Sequence, residues 1–94
     1  MTLKWPFKDS NEILDYTVDW TDRLSDTDSI ATSTFTISGP DSLLIQQSNS
    51  FIAKKTTIWM SGGTIKKTYS ILNRVTTVEG RTMDQTVKLK IKEK

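Results

Sequence analysis

Alternation of apolar and polar side chains constrains this 94-residue chain more than any other feature. In "ILDYTVDWT" the even positions Leu14, Tyr16, Val18 and Trp20 are apolar, while Asp15, Thr17, Asp19 and Thr21 are polar. Successive side chains of a β-strand point to opposite faces, so this rhythm describes a strand with one face in a core and one in water. It returns near the C-terminus, where Met83, Val87, Leu89 and Ile91 share one face and Lys88, Lys90 and Lys92 the other. No stretch repeats apolar residues at the helical period long enough to specify a helix. Asp9 and Glu12 fit a capping box and predict at most one helical turn before the first alternating run.

The remaining segments read the same way. "SIATSTFTIS" (29–38) predicts a weaker strand, bent or bulged because Ile30 differs in parity from Phe35 and Ile37. Ser38-Gly39-Pro40-Asp41 is a turn, and "SLLIQQ" a short strand giving way to a polar stretch from Gln46 to Ser50. "TTIWMS" (56–61) is a strand, Tyr69, Ile71 and Val75 share a face of the next, and Glu79-Gly80 marks a tight hairpin. In "TIWMSGGTIKKTYSILNRVTT" (57–77) the Gly62-Gly63 pair lets the chain leave one strand and cross to a second sheet. Tyr69 then opens the next strand, its ring at the core edge and its hydroxyl within reach of backbone, similar to a tyrosine corner. Six or seven short antiparallel strands in a single domain, 1–94, with 1–12 able to form an extended N-terminal arm, predict an all-β, immunoglobulin-like β-sandwich.

Composition removes most chemistry. The chain has no cysteine and no histidine, so it lacks disulfides, thiolate metal sites, the usual general base and the commonest zinc ligand. The loop "TDRLSDTDS" offers Asp22, Asp26 and Asp28, oxygens of the kind calcium prefers. It lacks the glycine and terminal glutamate of an EF-hand loop, and reads better as a solvated loop whose aspartates bond nearby backbone amides. Every lysine stands in a solvated sequence context, so none is expected to be buried where it could activate a serine, and the acids fall mostly on outward positions or loops. The expectation is no enzyme, no cofactor, no metal site and no small-molecule substrate. No apolar run approaches the roughly 20 residues a bilayer requires, and "MTLKWPFKDSNE" lacks the apolar core of a secretory signal. Synthesis in a cytoplasm, with no membrane partner, is therefore expected.

What remains is the outer surface. Net charge is only +2, but residues 1–50 carry three bases and eight acids (−5) and residues 51–94 ten bases and three acids (+7). If the fold kept these apart, they would suit head-to-tail contact between copies or neighbours. "KWPFK" sets Trp5 and Phe7 around a proline, either in a first strand packed on the domain's own core or in an arm reaching another subunit. With Ile58 and Met60 inward, Trp59 points out as an apolar spot. Lys88, Lys90 and Lys92 guard a sheet edge or meet a partner. Nucleic acid is not expected there, because no exposed aromatics interleave with the lysines. Trp5, Phe7, Trp59, Lys88, Lys90 and Lys92 are the interface candidates. A carbohydrate-binding module using Trp5 or Trp59 is the rival reading.

Taken together, "WPFKDSNEILDYTVDWTDRL", "SIATSTFTI", "TIWMSGGT" and "TYSILNRVTTVEGRTMDQTVKLKI" resemble a family of small Ig-like structural proteins of tailed bacteriophages and prophages, of the fibre–tail adaptor type. The resemblance spans nearly the whole chain. It departs at Phe35, where tryptophan is expected, at Ile65-Lys66-Lys67, where smaller residues are, and across 39–55. It implies a non-enzymatic module that docks onto a tail, fibre or head–tail assembly and ends in the virion. Its partners would be other phage structural proteins, or further copies of itself.

Overall fold

The computed structural model describes residues 3–6 and 8–92, and in it the alternating runs become two facing sheets. The strands are β1 (Leu3–Lys4), β2 (Leu14–Asp19), β3 (Ile30–Ser38), β4 (Leu44–Ile52), β5 (Lys55–Gly62), β6 (Thr68–Thr77) and β7 (Thr82–Lys90). One sheet has the order β1-β7-β6-β3 and the other β2-β5-β4. All pairs are antiparallel except the short β1, which runs parallel to β7 with Leu3 opposite Val87. Among the described residues the only helical turn is a 3-10 segment, Thr21–Arg23, and no helix could cross a membrane. Before β2 the chain makes a non-helical turn in place of the helical one the capping box allows: the Asp9 N–H donates to Glu12 Oε1 (2.8 Å) and the Glu12 N–H to the Asp9 carbonyl (3.1 Å).

The inward faces follow the alternation. Tyr16 and Val18 from β2, with Trp20 just beyond it, are buried against Tyr69, Ile71 and Val75 of β6 and against Val87, Leu89 and Ile91 at the other end of the chain. Met83 and Leu14 are partly buried at the margins. The parity change in β3 is a register shift between Ile30 and Thr32, as a bulge requires.

A polar hub ties the sheets together inside this apolar layer. Asn73 of β6 is fully buried; its Oδ1 accepts from Trp20 Nε1 (3.0 Å) and Thr56 Oγ1 (2.6 Å). Its Nδ2 donates to Ser33 Oγ and the Thr34 carbonyl, both at 2.9 Å. Every hydrogen-bonding site of the amide is used, so it stabilises a single packing rather than costing an unmet donor.

The Gly62-Gly63 corner is built as the tyrosine reading required. Gly62 has φ +78, and a Cβ there would run into the Leu43 carbonyl oxygen. The buried Tyr69 ring lies over Gly39, where an added Cβ would stand 2.5 Å from Cδ2. The Tyr69 hydroxyl accepts from the Thr64 N–H (3.0 Å) and donates to Asp41 Oδ1 (2.5 Å). Asp41 Oδ2 also accepts from Thr64 Oγ1 (2.7 Å), which fastens the β3–β4 loop to the corner.

The structure corrects several expectations. Lys88, Lys90 and Lys92 do not guard a free sheet edge, because β7 lies between β1 and β6 and the segment through Lys8 bonds along its outer side. β4 does not stop at the polar stretch but continues through Gln46–Ser50 to Ile52, with every position after Leu44 exposed. As an edge strand it has backbone pairing on one side only, and after Leu44 neither of its faces lies in the core, so no apolar rhythm is needed to form it. Lys8 is fully buried rather than solvated. Its Nζ donates to the Asp9 and Gly62 carbonyls, each at 2.8 Å, pinning the segment after β1 onto the corner.

Candidate docking surfaces

Inward positions being taken by packing, function must come from outward ones, and the fold distributes these over separate surfaces. Trp59 stands on the outer face of β2-β5-β4, opposite Asp15 on one side and Ser48 on the other, and is 42% exposed. Two isoleucines frame it. Ile45 pairs with Ser61, two residues along β5 on the same face, and is 51% exposed. Ile13, just before β2, is 60% exposed and adjoins Leu14, whose partner is Met60. Diagonal neighbours across a sheet lie within reach of an indole, so the three residues form one apolar patch. Sequence reasoning found Trp59 but missed both isoleucines. Their signal was an apolar residue at an outward parity position, legible only once the neighbouring strands were known.

Lys88, Lys90 and Lys92 stand on the opposite outer face, that of β1-β7-β6-β3, since Val87, Leu89 and Ile91 between them are buried. Lys88 is partly covered and its Nζ donates to Ser70 Oγ across the strand pair. Lys4 of β1 lies opposite Lys88. Two shallow basins adjoin this row: one of about 460 Å³ lined by Ile65, Lys66, Lys90 and Lys92, and one of about 310 Å³ lined by Lys4, Trp5, Thr68, Lys88 and Lys90. The charge asymmetry of the sequence is kept apart only in part: Asp15 and Asp19 turn outward on β2, but Asp19 lies opposite Lys55 of β5, and β7 turns out Asp84 as well as its lysines.

Trp5 belongs to neither face. It is partly buried, its ring stacked on Tyr16 with centroids 4.9 Å apart and its Nε1 donating to the Thr17 carbonyl (3.3 Å). The indole thereby bridges the β1 edge of one sheet to the β2 edge of the other. Burial, then the charges of Glu12 and Asp15, push the Tyr16 phenol up to about 12, and its hydroxyl donates to the Pro6 carbonyl (3.3 Å). Phe7 lies outside the described residues.

The acidic loop does not converge. Asp22 and Asp26 are exposed, whereas Asp28 is buried, which departs from the expected solvated loop although its carboxylate does bond a nearby backbone amide. Asp28 Oδ1 accepts from the Ser29 (2.9 Å) and Glu79 (3.1 Å) N–H groups, and Oδ2 from Arg81 Nη1 (2.9 Å). Burial raises its pKa, but hydrogen bonds from Thr77, the Glu79 and Ser29 amides and Arg81 outweigh this and hold it below the ordinary value. Asp28 is thus a lock on the β6–β7 turn. Among the described residues no three His, Cys, Asp or Glu side chains gather to hold a metal ion.

With this geometry in place, the chain can be set beside known proteins. No curated protein matches the chain. A family model described as podophage GP4 fiber-tail adaptor protein gp77 matches residues 8–90, a span running from the buried Lys8 through the whole of β7, which takes in Ile13, Ile45, Trp59, Lys88 and Lys90 but not Lys4 or Lys92. By that match the chain belongs to the podophage GP4 fiber-tail adaptor protein gp77 family, a family of phage structural proteins.

Proposed function

We propose that the chain is an immunoglobulin-like adaptor module whose two outer faces dock onto different phage components, the Trp59 patch meeting one and the lysine row the other. Strand order supports the first half of this reading. In chain order, β2-β5-β4 and β7-β6-β3 have the neighbour relations of strands B-E-D and G-F-C of immunoglobulin sandwiches, and Tyr69 stands where the tyrosine corner of strand F belongs. For the second half, the carrying observation is the exposed cluster of Trp59, Ile45 and Ile13 on a face that the core does not need. Apolar side chains grouped outward on a small domain fit an anchor for protein contact, and tryptophan is the residue most enriched at binding hot spots. The lysine row on the far side supplies a contact of another chemistry. An adaptor requires two separable contacts, and opposite faces of a sandwich provide them.

Co-sedimentation of the purified protein with virions lacking it tests the reading. Wild type should bind, Trp59→Glu should lose binding at any salt concentration, and Lys90→Glu/Lys92→Glu should weaken it most at low ionic strength. Both variants should keep the wild-type circular dichroism spectrum. Full binding by both variants would refute docking through these faces, and glycan binding abolished by Trp59→Glu would favour the carbohydrate reading.

A further inference from the structure

The free edges of the two sheets are not alike. β2 carries Asp15 and Asp19, and β1 carries Lys4. β3 and β4, each nine residues long, carry no charged side chain in a chain that is 26% charged. Natural sheets commonly blunt free edges with charge, because an unpaired row of N–H and C=O groups templates pairing with another chain. β3 nevertheless exposes mainly Thr32, Thr34, Thr36 and Ser38 and turns Phe35 into the core. β4 exposes Ile45, Phe51 and Ile52, the last at 80%. The bulge between Gln46 and Ser48 interrupts β4, but Ser48–Ile52 beyond it pairs regularly with β5 and has no strand laddered along its other side; β3 passes close by, and the Ile30 N–H donates to the Ala53 carbonyl just past the end of β4 (2.8 Å).

We infer that the Ser48–Ile52 edge of β4 pairs with the same edge of a second copy of this chain, antiparallel about a two-fold axis at Ser50. Symmetry favours this occupant. A two-fold contact sets each edge against itself, so β2 centred on Thr17 would oppose Asp15 to Asp19, a repulsion that an uncharged edge avoids in every register. Centred on Ser50, the register places Asn49 opposite Phe51 and Ser48 opposite Ile52 of the other copy. Parity is preserved: Ser48, Ser50 and Ile52 are all on the outer face, since their β5 partners are Trp59, Thr57 and Lys55. The two three-stranded sheets then form one continuous sheet, the most exposed isoleucine of the chain is covered at the seam, and the Trp59 patches of both copies lie on a single face.

The absence of native cysteine makes the register directly testable. Residues opposite each other on antiparallel strands have Cα atoms about 4.5–5.5 Å apart, within the range a disulfide spans. Under mild oxidation Ser50→Cys should form a covalent dimer, while Thr34→Cys, on the other uncharged edge, should remain monomeric. Without cross-linking, sedimentation equilibrium should show the wild type shifting toward dimer as concentration rises, and Ser50→Lys, with an unchanged melting temperature, should abolish the shift. Equal cross-linking of both cysteine variants, or a wild type that stays monomeric at every concentration, would overturn the pairing. Trp59 stands opposite Ser48 of this edge, but Ser50→Lys changes neither Trp59 nor the lysine row, so loss of the dimer and loss of co-sedimentation are read in separate variants.

Discussion

Trp20 and Trp59 belong to adjoining strands of one sheet and meet opposite fates. Trp20, just past β2, is 1% exposed, with its indole N–H given to Asn73 and its backbone N–H to the Lys54 carbonyl (2.8 Å). Trp59, in the middle of β5, is 42% exposed on the outer face, with Ile45 and Ile13 diagonal to it. Identical side chains differ only in the parity of their positions. The inner one holds the two sheets in a single arrangement, and the outer one does nothing the core needs. In so small a domain, stability and recognition can be separated by a shift of one residue along a strand.

If this separation holds, substitutions should divide sharply by face. The largest effect belongs to Trp20→Ala, which empties a fully packed aromatic site and should cost about 3–5 kcal/mol in denaturant unfolding. Asn73→Ala should follow at about 2–3 kcal/mol, because it leaves the Trp20 indole N–H and the Thr34 carbonyl without their partner. An equally stable Asn73 variant would show that the hub is incidental. At the other end of the scale, Trp59→Ser should change stability by no more than about 0.5 kcal/mol, as outward substitutions generally do.

Between these extremes lie the two aspartate locks, which pH can address. Asp28 and Asp41 both have pKa values held below the ordinary 3.8. For Asp41 the causes are the Tyr69 and Thr64 hydroxyls and the Leu43 N–H. A carboxylate whose folded pKa is depressed stabilises the fold above its unfolded pKa, and that contribution disappears as pH falls through the folded value. Melting temperature should therefore be flat above about pH 5 and fall below pH 4. Asp28→Asn should flatten this acid limb more than Asp41→Asn, since both carboxylates have both oxygens engaged but Asp28 is buried while Asp41 is partly open to water. An unchanged limb in both variants would remove the locks from the account.

Much of the inner architecture was legible because burial forces a parity on the sequence. The inward set of β2, the β3 bulge, the Gly62-Gly63 corner and the Glu79-Gly80 hairpin follow from alternation and turn chemistry. Asn73 was passed over although it stands at an inward position between Ile71 and Val75, because a polar residue there signals a partner that only the fold supplies. β4 was cut short for the converse reason: an edge strand with both faces in water needs no apolar rhythm. Lys8 was misjudged because its burial depends on carbonyls at Asp9 and at Gly62, the latter distant in sequence. The docking surfaces were half visible. Trp59 and the lysines could be read from parity, but Ile13 and Ile45 join Trp59 only through the pairing of β2, β5 and β4.

Oxidative footprinting of the tryptophans, in the free chain and after its incorporation into virions, tests the division of labour most directly. Trp20 should resist modification in both states, and Trp59 should react in the free chain and become protected in the virion. Equal reactivity of Trp59 in both states, or ready modification of Trp20 in the folded free chain, would contradict it.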